Sequence, residues 1–328
     1  MMKHVARIAR CDTNRPRPLW SVLIPCYNCA HFLGQTLESV LQQDPGPDLM
    51  EIMVLDDCSD QDDPKCVVDA VGKGRVRYMR QATNLGKVRN YETGLMESRG
   101  LLVHQLHGDD RVVDGFYRHM EAAFAAYPTV AAFFCEADYI DEDSKATGRT
   151  GRELERTGIL TDWLPRIVVA QRIQTPAMVV RREVYEALGG FDRRLDCCED
   201  WEMWIRIAHG FPVGFCAEAR AQYRHTGNNN SARSILNGTR GQIQRQMFAI
   251  IDSYLPNELV TQVRKTRDRE QALFFAGQVP RVMRLGGVRN WLQLTREVLT
   301  FSCEPFVIRR LLSLTLRELV GWIWKAWR

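Results

Sequence analysis

Trp20-Ser21-Val22-Leu23-Ile24-Pro25 is an apolar, β-rich run closed by a proline, and runs of the same kind recur before residue 107. Glu51-Ile52-Met53-Val54-Leu55, Arg75-Val76-Arg77-Tyr78-Met79 and Leu101 to Leu106 read as further strands. Between them lie an amphipathic segment from Ala30 to Gln43 and helical stretches from Pro64 to Val71 and from Lys87 to Ser98. Strands that read as continuous apolar runs and alternate with helices predict an α/β fold, a mostly parallel, Rossmann-like sheet flanked by helices. In such sheets ligands collect beyond the carboxyl ends of the strands. The polar residues fall there: Pro25-Cys26-Tyr27-Asn28 after the first strand, Asp56-Asp57-Cys58-Ser59 after the second, His107-Gly108-Asp109-Asp110 after the fourth.

Beyond Ala131 the connections lengthen, and Arg149 to Thr157 reads as a polar, mobile loop. A helix from Asp162 to Gln171, the strand Ala177-Met178-Val179-Val180 and the turn Gly189-Gly190-Phe191-Asp192 precede a second acidic cluster, Glu199-Asp200-Trp201-Glu202. That cluster opens a helix running to about Ala208, followed by a strand near Val213 to Cys216. From Ser234 onward the pattern is helical only, broken at Pro256, Pro280, Gly286-Gly287 and Pro305.

The chain has 328 residues, 45% hydrophobic and 26% charged, which is the composition of a globular protein with ample core. The net charge of +4 is small, but Lys3, Arg7, Arg10, Arg15 and Arg17 crowd one end and Arg309, Arg310, Arg317, Lys325 and Arg328 the other. No basic stripe interleaved with aromatics runs through the middle, so nucleic acid is not the expected partner and acidic lipid is the better candidate. The ten cysteines are scattered, which fits a reducing compartment rather than a disulfide scaffold. Cys26-x-x-Cys29 is an isolated motif of low specificity, and no Cys/His set completes a zinc site. No apolar h-region follows the basic N-terminus, and no run of about 18 apolar residues exists. The expectation is a cytoplasmic protein, attached if at all to the inner face of the membrane. The sequons at Asn229 and Asn237 then have no glycosylation to receive.

Asp109 and Asp110 end a strand with almost no bulk before them, and so deliver hard oxygen ligands to the rim of a sheet. Such ligands suit Mg²⁺ or Mn²⁺, the ions that hold a diphosphate. The same pair could instead cap a helix beginning near Asp114. Three acidic clusters at loop positions of one α/β unit repel one another unless a cation or a function compensates them.

The chain resembles the inverting glycosyltransferases of the GT-A fold, of the large family 2 type that uses nucleotide-diphosphate sugars. The matching elements, in the family's order, are Ser21 to Asn28, Val54 to Ser59, Asn84-Leu85-Gly86-Lys87-Val88-Arg89-Asn90, Gly108-Asp109-Asp110, Gly189 to Asp192, Glu199 to Glu202 and Tyr223-Arg224-His225. The resemblance implies a basic tail at 1–18, a GT-A catalytic domain at 19–233, with a nucleotide-binding half 19–135 and an acceptor half 136–233, and an all-helical extension at 234–328. It implies that Pro25, Tyr27, Asn28 and Asp57 line the pocket for base and ribose, with Tyr27 offering a stacking face and Asp57 accepting from a base N–H. Asp56 supports that turn, and Asn84, Gly86 and Arg89 close over the nucleotide. Tyr27 could otherwise be a core aromatic, Asp57 a turn-former with Ser59, and Arg89 an exposed helix residue.

Carried further, the resemblance gives Asp109 and Asp110 to the metal, with His107 standing where many relatives have Asp. Neutral imidazole is a poor ligand for Mg²⁺ and an acceptable one for Mn²⁺. His225 matches a position that in relatives often reaches the metal or diphosphate, although a lone His after a strand can be structural. Asp200 matches the general base, which takes the proton of the attacking hydroxyl. Glu199-Asp200 could equally be an acidic first turn favoured by the helix dipole. Glu199 and Trp201 are expected on the acceptor side, Trp204 in packing, and Cys58 where relatives usually have Gly.

In the last helix, Arg310, Ser313, Arg317, Gly321, Lys325 and Arg328 recur at three- and four-residue steps, with Ile308, Leu312, Leu316, Leu319, Ile323 and Trp327 on the opposite side. That is a basic amphipathic helix, able to lie on an anionic membrane surface or to pack on the catalytic domain. The implied partners are a nucleotide-diphosphate sugar donor and a saccharide or lipid-linked saccharide acceptor. A nucleotidyltransferase would want a Gly-rich, basic loop after the first strand, which Pro25 to Asn28 is not. A dehydrogenase would want G-x-G-x-x-G, absent after any strand. A catalytically weak nucleotide-sugar binder or scaffold of the same fold is the other alternative.

Overall fold

In the computed structural model, which describes residues 4–12, 16–226 and 230–326, the opening apolar run becomes β1 (Trp20–Cys26), with Val22, Leu23 and Ile24 fully buried. It pairs in parallel with β2 (Met50–Asp56) on one side and β4 (Leu102–Gln105) on the other, and β3 (Arg77–Arg80) lies beyond β2. A central strand covered on both faces has no polar alternation, which is why it reads as one unbroken run. α1 (Ala30–Leu41), α2 (Pro64–Gly72) and α3 (Lys87–Glu97) make the crossovers. α2 starts where Asp63 accepts from the Cys66 N–H with proline in the first turn. β3 begins later than the expected Arg75, because the Arg75 N–H still closes a turn on the Gly72 carbonyl and its guanidinium pairs with Asp44.

From α3 the chain returns to the other side of β1, so the strand order reverses between β1 and β4 and opens a ligand crevice at their carboxyl ends. The sheet continues with β5 (Arg111–Val112), β6 (Ala132–Ile140), β9 (Met178–Arg181) and β10 (Val213–Arg224) in the order β3-β2-β1-β4-β9-β6-β10-β5, with β7 (Ala146–Arg149) on β6 and β8 (Gly158–Ile159) on β10. Along that order β9 and β5 run against the other strands, so the sheet is mostly parallel as expected. α4 (Phe116–Ala126), α6 (Arg182–Leu188) and α7 (Glu199–Gly210) complete this part of the chain.

Two stretches differ from the sequence reading. β10 does not stop near Cys216 but runs to Arg224 across a bulge between Phe215 and Arg220, which breaks the alternation that would reveal it. The expected loop from Arg149 to Thr157 is pinned rather than loose: Arg152 donates to the carbonyls of Leu154, Glu155 and Ala217 and pairs with Glu136. The N-terminal segment is also engaged, with Ala6 and Ile8 buried and Val5 bridged to Asp192. Lys3, Arg15 and Asn229 lie outside the described residues.

The chain divides into two compact units, Met1–Trp163 with Arg172–His225, and Leu164–Gln171 with Thr226–Arg328. The division at His225 precedes the boundary expected after 233, and most of α5 (Trp163–Val169) goes with the second unit. That unit adds α8 (Asn230–Leu236), α9 (Arg240–Asp252), α10 (Asn257–Gly277), α11 (Val279–Leu285), α12 (Gly287–Phe301) and α13 (Pro305–Ala326), with breaks at the expected prolines and glycines. Phe275, Ala276, Val279, Val282, Val298, Val307 and Leu311 form its core. α13 faces that core with Val307, Leu311, Thr315 and Glu318, while Leu312, Leu316, Leu319 and the expected basic side at Arg310 and Arg317 are exposed. Trp327 and Arg328 fall outside the described residues. No helix among the described residues is long and apolar enough to cross a membrane.

Candidate active site

The loop after β4 sits at the switch point. Its backbone hugs β1, with the Gly108 N–H donating to the Pro25 carbonyl at 3.0 Å. A side chain at 108 has no room, since a Cβ there would stand 2.7 Å from Cys29 Sγ. Two distant residues clamp the loop from outside. Thr36 of α1 donates to the carbonyls of Gly108 and Asp110 (3.0 and 2.8 Å), and buried Arg224 of β10 donates to the Asp109 carbonyl at 2.8 Å and stacks over Phe32. Arg224 also binds the Asp141 and Glu142 carbonyls, Ser144 and Gln35.

So held, His107, Asp109 and Asp110 bring ligand atoms within 4.8 Å of one another. Asp110 is 1% exposed; its Oδ1 accepts from the Arg224 backbone N–H, and its buried Oδ2 faces His107 Nδ1 at 3.5 Å. Burial, and then the charge of Asp110, push the Asp109 pKa up to about 6. Burial works to lower His107, but hydrogen bonding and charge from Asp110 prevail and raise it. Two carboxylates, one of them buried, gathered with an imidazole are a set that a divalent cation satisfies. The helix-cap alternative fails, because β5 intervenes and α4 is capped by Gly115 with no side-chain bond. His225 does not join the cluster. Strand alternation turns Arg224 toward Asp109 and His225 to the other face, where its ring meets Tyr139 at 4.9 Å and Tyr223 at 5.1 Å.

On the expected nucleotide side, Tyr27 is 46% exposed at the rim. Asn28, at φ 51, accepts from the N–H groups of Asp60 and Gln61 and so builds the rim itself. Asp56 is sealed and accepts from Ser59, Tyr78 and Arg80; those bonds outweigh the opposing effect of burial and leave its pKa lowered. Cys58 adopts φ 63, the left-handed backbone for which glycine is suited. Asp57 is 3% exposed and accepts from the N–H groups of Leu85 and Gly86 at 2.7 and 2.9 Å, fixing the loop that carries exposed Asn84 and Gly86 and leads into α3, where Arg89 is exposed. Pro25 stays partly exposed beside them.

α7 supplies the third group. Asp200 is partly exposed, with Oδ1 accepting from the Trp201 N–H at 2.7 Å and Oδ2 from the Thr175 hydroxyl at 3.2 Å. Its acidic neighbours turn inward. Glu202 pairs with Arg206, both buried, and Glu199 is 7% exposed and bound to Lys87 of α3 at 2.7 Å. Burial raises Glu199 to about 7 against the pull of Lys87. The Lys87 charge acts on Glu199 and Asp200 on one side and on His107 on the other, which ties the loop before α3, the acidic loop and α7 together. Glu199 and Trp201 are therefore corrections: neither is open to an acceptor, and Trp201 at 1% exposure is core. Trp204 is core as well, and the spacing held the signal, since residues three apart on a helix share a face. Thr36, Lys87 and the clamping role of Arg224 went unread because each acts across a long stretch of chain.

The reversed sheet order, the acidic loop at its switch point and the carboxylate at the start of α7 define a GT-A fold, and solved structures share it. S. aureus TarS 1-349 in complex with UDP-GlcNAc matches with a TM-score of 0.65 at 13% identity, over 91% of this chain and 88% of that one. The mannosyltransferase PcManGT from Pyrobaculum calidifontis, in complex with GDP-Man and Mn²⁺, matches with a TM-score of 0.57 at 19% identity, over 97% and 91%. In sequence, an uncharacterized protein of Mycobacterium tuberculosis (strain CDC 1551 / Oshkosh) is 28% identical over 262 residues, 76% of this chain and 81% of the relative. The model for glycosyl transferase family 2 matches residues 21–189, just over half of the sequence, and the chain belongs to that family.

Proposed function

We propose that the chain transfers a sugar from a nucleotide-diphosphate donor to a hydroxyl of a saccharide or lipid-linked saccharide, with inversion, at the cytoplasmic face of a membrane. The observation that carries the reading is the convergence of His107, Asp109 and buried Asp110, with ligand atoms within 4.8 Å of one another, at the sheet's switch point. A divalent cation held by these three residues, Mn²⁺ rather than Mg²⁺ given the imidazole, supplies Lewis-acid charge to the departing diphosphate. Tyr27 offers its face to the base, and the Asp57-ordered loop carries Asn84 and Gly86, and the start of α3 carries Arg89, over the nucleotide. Asp200 takes the acceptor's proton as its oxygen attacks the anomeric carbon opposite the leaving group. Thr175 and the Trp201 N–H hold that carboxylate in one orientation.

The test is turnover of a panel of UDP- and GDP-sugars with Mn²⁺, with the anomeric outcome read by NMR. Asp200→Asn is expected to lower the rate by about 10²- to 10⁴-fold while nucleotide affinity holds. Unchanged turnover removes Asp200 as base, and retained anomeric configuration removes inversion. Nucleotide binding with no transfer or donor hydrolysis assigns the chain to the non-catalytic binders.

A further inference from the structure

Three aromatic rings gather on the face of the sheet opposite Arg224. Tyr139 of β6 and Tyr223 of β10 are register partners with centroids 6.2 Å apart at 80°, and His225, two residues on, reaches both. The His225 N–H donates to the Ile140 carbonyl, so this end of the strand is fixed. Farther back on the same strands, Phe134 and Phe215 meet in the same edge-on way but are sealed at 1% and 0% exposure. The three rings at the carboxyl end are not sealed: Tyr139 and Tyr223 are partly exposed and His225 is exposed. One short segment joins them to the proposed base. Gln174 Nε2 donates to Tyr139 Oη at 3.3 Å, and the next residue, Thr175, donates to Asp200 Oδ2 at 3.2 Å.

We propose that Tyr139, Tyr223 and His225, with Gln174 at their edge, form the acceptor subsite and that its ligand is a pyranose ring. A pyranose has an apolar C–H face to lie on the rings and a rim of hydroxyls that can bond to phenol, imidazole and amide groups at their edge. This subsite takes the place that the sequence reading gave to Trp201, which is buried. The inference rests on the reading of Asp200 as base only in calling the saccharide the acceptor.

The experiment uses the full chain and the methyl glycosides of glucose, galactose, mannose and N-acetylglucosamine as probes in saturation-transfer NMR, with UDP and GDP affinity measured in parallel by calorimetry. At least one glycoside is expected to receive saturation on its ring C–H protons and to shift the His225 ring protons of the unmodified protein. Tyr139→Leu and Tyr223→Leu should each weaken its Kd by about tenfold, with Tyr139→Phe within about threefold of the parent and nucleotide affinity unaltered throughout. If no glycoside binds, if the His225 resonances stay still, or if the leucine variants bind as the parent does, the subsite is overturned. Loss of nucleotide affinity in folded leucine variants overturns it too, by assigning the rings to the donor. The His225 shifts need no variant and decide the matter should the leucine proteins fail to fold. Glycoside binding at these rings without nucleotide binding would sink the proposed reaction and leave the subsite standing.

Discussion

Gly108 is where a single atom separates a working loop from a strained one. An added methyl group meets Cys29 Sγ at 2.7 Å and the Pro25 carbonyl at 3.4 Å. Gly108→Ala should therefore cost about 2 kcal/mol by overpacking, and Cys29→Ala should restore most of that in the double variant, as denaturant titration of the four proteins of the cycle would read. His104 offers a second test at this scale. It is 0% exposed, bonds to Tyr117 Oη at 3.1 Å and the Pro176 carbonyl at 2.9 Å, and burial lowers its pKa to about 4. Because the unfolded state takes up this proton first, the fold is undiminished above the ordinary value of 6.5 and loses stability as pH falls from there toward 4. The loss should approach about 3 kcal/mol, and His104→Gln should flatten the slope between pH 7.5 and 4.5.

At the scale of elements, the first half of the sheet was legible because β1, β2 and β4 are buried on both faces and their ends carry the polar residues. The adjacent pair Asp109 and Asp110 was legible for the same reason, since both sit in one loop. What holds them was not: Thr36 and Arg224 come from α1 and β10, far from the loop in sequence, and nothing local in Tyr223-Arg224-His225 says that the middle residue clamps while its neighbours face away. Arg224→Met tests the clamp. It removes donors to the carbonyls of Asp109, Asp141 and Glu142, and calorimetry should find Mn²⁺-dependent UDP or GDP affinity down by about 10- to 100-fold. Affinity equal to the parent's would make the clamp a matter of stability alone. The bulge in β10 hid the rest of that strand, and the even burial of α7 hid which of its residues face outward.

For the whole molecule, α13 was read as two-faced and is three-faced. Val307 and Leu311 secure it to the helical core, which leaves Leu312, Leu316 and Val320 exposed along with Arg310 and Arg317. If this exposed surface meets anionic lipid, Leu316→Glu with Arg317→Glu should lower sedimentation with phosphatidylserine vesicles by at least about tenfold and leave thermal stability alone, because neither side chain supports the core. Unaltered sedimentation rules the helix out as the anchor. The division of the chain has a consequence for its synthesis. Residues Leu164–Gln171 are made early yet belong with Thr226–Arg328, so a nascent chain that has cleared the ribosome through His225 can have its sheet while this segment still lacks the rest of its unit. Until the last hundred or so residues follow, that segment is without the rest of its unit, and a nonsense allele ending near His225 would leave it so permanently.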